Sequence, residues 1–119
     1  MRTRNRFTRH QRLRRSEDFA AVFDTGQVVS DATLVVHAVP SPGSPTRLGL
    51  SVSKRVGNAP LRNRWKRMIR EAFRLSYSKL PTEMTIVVRP RKDARPKSSD
   101  VAESLLRLTK RVAKRLRPS

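Results

Sequence analysis

The sequence predicts a single-domain α+β fold of three helices and about four strands, in the order α-β-β-β-α-β-α. Three segments repeat apolar residues at three- and four-residue spacing, two alternate apolar with polar residues, and one is a short continuous apolar run. A chain of 119 residues makes one domain and buries enough of its surface to fold without disulfide or metal staples. The expected division is a flexible basic arm over 1–15 and one α/β sandwich domain over 16–117. No internal repeat or second domain is visible.

In the arm, seven Arg accompany Phe7 and Leu13 with no acid, a composition that orders only against a polyanion. Helix one is expected from Ser16 to Thr25: Ser16 suits an N-cap, Glu17 and Asp18 complement the helix dipole, and Gly26 ends it. Its stripe of Phe19, Val22 and Phe23 has two readings. The rings either fill the core or form a platform on which unpaired bases stack.

Ala32 to Val39 alternates Leu34, Val36 and Ala38 with Thr33, Val35, His37 and Val39. Arg47 to Val52 alternates Leu48, Leu50 and Val52 with Arg47, Gly49 and Ser51. Both read as half-buried strands, and the Pro-, Gly- and Ser-rich segment Pro40 to Pro45 reads as the hairpin loop between them. A third strand is expected between Val52 and Val56. Gly57 and Asn58 tolerate the left-handed backbone that a sharp turn into the next helix needs, and Pro60 suits its first turn.

The central helix, Leu61 to Leu75, organises the rest. At roughly 100° per residue, Leu61, Trp65, Met68, Ile69, Ala72, Phe73 and Leu75 close into an apolar arc of about 160°. Arg62, Lys66, Arg70 and Arg74 follow at four-residue spacing on the other side, with Arg67 beside them and Arg64 at the far edge. A solvated helix face mixes Glu with Lys, because like charges at this spacing oppose the helix. Here only Glu71 is acidic. Arg also outnumbers Lys, and a guanidinium fork matches two phosphate oxygens, so the face reads as a polyanion-binding surface.

Beyond it, Thr85 to Arg89 is continuously apolar until its last residue and suits an interior strand. Asp100 with Glu103 resembles a capping box for a last helix whose stripe is Val101, Leu105, Leu108, Val112 and Leu116.

Twenty-eight Lys and Arg against nine Asp and Glu leave a formal charge of +19. Self-repulsion of that size calls for a polyanionic partner. The absence of cysteine excludes a disulfide framework and thiolate metal sites, and fits a reducing cytoplasm. No targeting segment or run of spanning length is present, and the basic helix keeps its bulky apolar groups for the core, so a membrane is not expected as partner.

Nor do the side chains form a catalytic set. A protein nuclease needs a general acid and base or a carboxylate cluster around metal. His10 lies in the arm and His37 on a strand, with no spacing that pairs them. Glu17, Asp18, Asp100 and Glu103 have helix-start explanations. No catalytic residue and no metal ligand is assigned.

The ordered set Leu50-Ser51-Val52-Ser53-Lys54-Arg55-Val56-Gly57-Asn58-Ala59, running into Arg62-Asn63-Arg64, Lys66-Arg67, Ile69-Arg70 and Ala72-Phe73, resembles the protein component of bacterial ribonuclease P. Leu13-Arg14-Arg15-Ser16-Glu17-Asp18-Phe19 with Val22, Phe23 and Gly26 resembles that family's first helix, and the resemblance extends from Arg12 to about Leu116. It implies a small basic protein that joins a catalytic RNA and assists removal of the 5′ leader of precursor tRNA. It further implies that Arg62, Asn63, Arg64, Lys66, Arg67 and Arg70 face the catalytic RNA, with Mg2+ supplied through that RNA and no cofactor held by the protein. Arg14, Arg15, Phe19, Phe23 and His37 would form the leader-binding cleft. The family often carries an aromatic residue where this chain has His37, and imidazole also stacks. The implied fold is an α/β sandwich like ribosomal protein S5 domain 2, with a left-handed crossover around the central helix where general rules favour the right-handed one. The implied partners are ribonuclease P RNA and precursor tRNA, in the cytoplasm, with no DNA. Two rivals remain: a structural ribosomal or RNA-chaperone protein, and a DNA-binding protein that inserts its Arg-rich helix into the major groove.

Overall fold

The computed structural model describes residues 16–116, with side chains from Phe19 onward; the expected arm over 1–15 lies outside the described residues. Three helices, α1 (Ser16–Thr25), α2 (Ala59–Ser76) and α3 (Ser98–Leu116), accompany four strands: β1 (Gln27–Ser30), β2 (Leu34–Pro40), β3 (Arg47–Leu50) and β4 (Met84–Pro90). The strands form one sheet in the order β1-β2-β4-β3. β2 is antiparallel to both β1 and β4, and β3 runs parallel to β4. β3, α2 and β4 therefore make the parallel crossover unit to which the resemblance assigns the left-handed sense.

The α+β class and the order of elements agree with expectation, but two details of the sheet do not. The extra strand is β1, just after α1, whereas Lys54–Val56 is a single 3-10 turn. β1 escaped notice because only Val29 of its four residues is buried, leaving no alternation to read. β2 and β3 are also not a hairpin, since β4 lies between them. The continuous apolar run of β4, buried from Met84 to Val88, needs cover on both faces and neighbours on both edges, so it takes the interior slot. The Pro-rich link then arches over the start of β4 and is pinned there. Ser41 N–H donates to the Glu83 carbonyl at 2.7 Å, Gly43 N–H to Glu83 Oε1 at 2.7 Å, and Thr46 Oγ1 to the Pro81 carbonyl at 2.7 Å.

Strand alternation sorts the core into two faces. Leu34, Val36, Ala38, Leu48, Ile86 and Val88 meet α2 and α3 through Trp65, Ile69, Phe73, Leu105, Leu108 and Val112 in the main cluster. On the opposite face Val87 packs with Val22, Phe19 and Val39 in a smaller cluster under α1. β2 is thus buried on both faces from Leu34 to Ala38, more deeply than alternation alone implies. Gly26 ends α1 because of close approach: a Cβ there would lie 2.3 Å from the Val22 carbonyl oxygen and 2.9 Å from that of Ala38. α3 begins at Ser98, so Asp100 stands in its first turn and the capping-box start is displaced; Val101 N–H bonds the Lys97 carbonyl at 3.0 Å.

Asp31 joins the layers. Its Oδ1 accepts the Thr33 and Leu34 N–H groups at 2.8 and 2.9 Å, while Oδ2 accepts Ser104 Oγ at 2.7 Å and pairs with Arg107 at 2.5 Å. Burial alone would raise its pKa, but the bonds from Leu34, Ser104, Thr33 and Arg107 outweigh it and hold the carboxyl at about 2, from an ordinary 3.8. A depressed folded-state pKa adds stability that is complete above the unfolded value and is lost as pH falls through the folded one. Asp31→Ala should therefore cost about 2 kcal/mol at neutral pH. In denaturant melts the gap between wild type and variant should close as pH falls from 4 to 2.

Candidate nucleic-acid interface

α2 starts at a well-defined cap. Asn58 has extended backbone, φ −70°, and its side chain accepts Leu61 N–H at 3.0 Å, so it acts as N-cap and needs no left-handed conformation. Gly57 does need one, at φ 152°, where a Cβ would also stand 2.6 Å from Leu61 Cδ2. Trp65, Ile69 and Phe73 are fully buried and Ala72 nearly so, with Leu61 and Met68 half-buried at the rim. Leu75 is corrected: expected in the apolar arc, it is 54% exposed. The buried arc is narrower than the sequence pattern, centred between Trp65 and Ile69, and Leu75 falls outside it. There it borders a shallow groove with Met68, Ala72 and Ala102.

The cationic side divides by accessibility. Asn63, Arg64, Arg67 and Arg70 are exposed, and Arg62 and Lys66 half-buried. Arg62 Nε donates to the Gly57 carbonyl at 3.2 Å, which ties that side chain to the preceding turn. Glu71 pairs with Arg74, and the other ion pair among the described residues is Asp31 with Arg107. Among the described residues, Arg64, Lys66, Arg67 and Arg70 thus pair with no acid. They form a rigid cation array on the outer side of the helix, available to phosphates.

The residues expected to line a cleft come together on the other face of the sheet. The register places Val28, His37, Val87 and Gly49 in one row across it, with Val35 and Arg89 in the next. α1 covers only part of this face. Phe19 is half-buried against the Val22 and Val87 cluster, whereas Phe23 is 41% exposed and meets the His37 ring edge-on, centroids 4.8 Å apart at 82°. The two readings of the stripe therefore divide between the rings: Phe19 leans to the core and Phe23 to the open face. Arg14 and Arg15 lie outside the described residues.

Arg89 is the member that sequence reading missed. It closes an apolar strand and looked like a terminus, but alternation turns it to the α1 side, where its Nε donates to His37 Nε2 at 3.2 Å. Burial first, and the Arg89 charge second, push the His37 pKa below its usual 6.5. The open face continues into a groove of about 540 Å³ walled by Arg89, Arg91, Lys92 and one acid, Asp93, over Val35 and Pro90. Among the described residues no three His, Asp or Glu gather to hold a metal ion, and no helix is long and apolar enough to cross a membrane.

The family model described as Ribonuclease P matches residues 7–113. The chain belongs to the ribonuclease P protein family. It is 40% identical over 111 residues to the ribonuclease P protein component of Shouchella clausii, covering 92% of this chain and 91% of that one. The relative from Desulfovibrio desulfuricans is 38% identical over 113 residues, covering 91% of this chain and 87% of that one. Among solved structures, the RNase P protein from Thermotoga maritima superposes with a TM-score of 0.78 at 36% identity, covering 85% of this chain and 96% of that one. The Staphylococcus aureus RNase P protein gives 0.75 at 32%, covering 90% and 98%. Membership in the ribonuclease P family makes this chain the accessory protein subunit of an endoribonuclease whose catalyst is RNA.

Proposed function

We propose that the protein serves ribonuclease P by holding two RNAs on opposite faces of one sheet. The cation array of α2 docks on the catalytic RNA through Arg62, Asn63, Arg64, Lys66, Arg67 and Arg70. The open face beside α1 receives the single-stranded 5′ leader of precursor tRNA, with Phe23 as its stacking ring, the buried His37 and the half-buried Phe19 packed behind it, and Arg14 and Arg15 from the preceding segment at its edge. The observation that carries this reading is that, among the described residues, no acid pairs with Arg64, Lys66, Arg67 or Arg70. Guanidinium and ammonium groups on a rigid helix displace condensed counterions from RNA but read no sequence, and an exposed ring such as Phe23 stacks on any base. Both faces therefore suit a subunit that must accept leaders of many sequences.

Bond breaking stays with the RNA, whose phosphates would hold Mg2+. The protein's donor set does not fit that task, since its described acids are dispersed. What its residues supply is neutralisation of phosphate repulsion around the catalytic RNA and added affinity for substrate that still carries a leader. The cytoplasm, where precursor tRNA is made, is the place of action.

Arg64→Ala and Arg67→Ala should each weaken binding of the catalytic RNA. Each should also reduce the slope of log affinity against log salt by roughly 0.7 to 0.9 per lost phosphate contact; an unchanged slope in both would place the RNA on another face. Phe23→Ala should lower affinity of the assembled complex for precursor tRNA by about 1 to 3 kcal/mol and leave mature tRNA untouched. Equal losses for both tRNAs would make Phe23 a structural residue only.

A further inference from the structure

The contact between Arg89 and His37 fixes a protonation state. A guanidinium nitrogen only donates, so His37 Nε2 must present its lone pair to Arg89 Nε at 3.2 Å, and the ring proton must sit on Nδ1. Nδ1 is buried and has no partner among the described residues, and the residue as a whole is 8% exposed. The ring cannot turn freely, because Phe23 stands edge-on against it at 4.8 Å. Only the neutral imidazole satisfies this geometry, and burial together with the Arg89 charge keeps it neutral at pH 7.

The other charges around the ring are few. β1 carries none, β4 carries Arg89 alone, and β3 carries Arg47 at its start, while the segment after β4 sets Arg91, Lys92 and the acid Asp93 along the same groove as Arg89. α1 offers the exposed Asp24, and Glu17 and Asp18 in its first turn, whose side chains lie outside the described residues.

We propose that His37 is a positioning residue that orients the Arg89 guanidinium, and that Arg89 grips a phosphate of the unpaired strand lying across Phe23. The inference rests on the leader reading above. With Nε spent on His37, the four N–H groups of the two terminal nitrogens have no partner among the described residues, and Arg89 itself walls the groove that extends the open face. A guanidinium held at its inner end presents its outer edge as a fork for two phosphate oxygens, and holding it beforehand lowers the cost of ordering it on binding. Mature tRNA has no leader to supply that phosphate, so the contact favours precursor. Protonating His37 removes the lone pair and sets two cations against each other. Arg89 is then released.

The test is equilibrium binding of precursor and mature tRNA to the protein assembled with the ribonuclease P RNA of the same organism. Arg89→Ala should lower precursor affinity roughly tenfold and leave mature tRNA unchanged. His37→Phe keeps a ring against Phe23 but removes the acceptor, so it should reproduce that loss, and the double variant should be no worse than either single one. His37→Gln, whose side-chain carbonyl also accepts, should keep the precursor preference. Because burial and the Arg89 charge hold the His37 pKa below its ordinary value, wild type should keep the preference at pH 6.5 and lose it only at more acid pH, while His37→Gln holds it throughout. Full preference in His37→Phe, multiplying losses in the double variant, or an equal acid loss in His37→Gln would each overturn the proposal. A silent Arg89→Ala beside a deleterious Phe23→Ala would overturn it while leaving the leader reading standing; silence in both would remove the leader reading as well.

Discussion

Everything in this molecule depends on the burial of one side of α2. Trp65, Ile69 and Phe73 are fully withdrawn from water against Ile86, Val88 and Val36 of the sheet. Each such side chain contributes about 1.5 to 3 kcal/mol of apolar burial, enough to fix the rotation of a helix whose opposite side is loaded with like charges. That rotation decides which residues face out. Were α2 free to roll, Arg64, Arg67 and Arg70 would be a diffuse cloud of charge with no defined surface to offer an RNA.

The same sheet separates the two interfaces. Period-two alternation sends Val36, Ile86 and Val88 to α2 and α3 and sends His37, Val87 and Arg89 to α1. α1 is short and covers little, which leaves Phe23, Val28 and Arg89 accessible on a face whose opposite side is tightly packed. Asp31 and the Glu83 corner hold the ends of this arrangement by short polar links between elements distant in sequence. On the proposed reading, a rigid partition with a cationic array on one side and an aromatic, half-open surface on the other would keep catalytic RNA and substrate strand from competing for the same ground.

Much of this was legible in the residues. The helical stripes place α1 at Ser16–Thr25, where it lies, and α2 to within two residues at each end, because amphipathic periodicity over several turns is a strong signal. The scarcity of acid on α2, where Glu71 stands alone among Arg and Lys, is equally legible and is the basis of the proposed RNA-docking face. What failed was pairing. Nothing local in Leu34 to Val39 or Arg47 to Leu50 says that a strand more than thirty residues later will insert between them; the buried run of β4 demanded an interior slot, but which neighbours it would part was a matter of tertiary packing. β1 has too few inward residues to show a period, and Leu75 lay on an edge of the arc that the sheet does not reach. Arg89 was hidden for a different reason, since its role comes from a cross-strand neighbour, His37, fifty-two positions away in the chain.

The central claim is that two RNAs occupy opposite faces at once, and the lack of cysteine makes it directly measurable. Single cysteines introduced as Glu71→Cys on α2 and Val28→Cys on the open face, each carrying a short photo-cross-linker, would report the neighbours of each face in the complex assembled with precursor tRNA. The account predicts that position 71 marks the catalytic RNA with or without substrate, and that position 28 marks the leader and is silent with mature tRNA. Cross-links from both positions to the same strand, or from position 28 to the catalytic RNA alone, would contradict it.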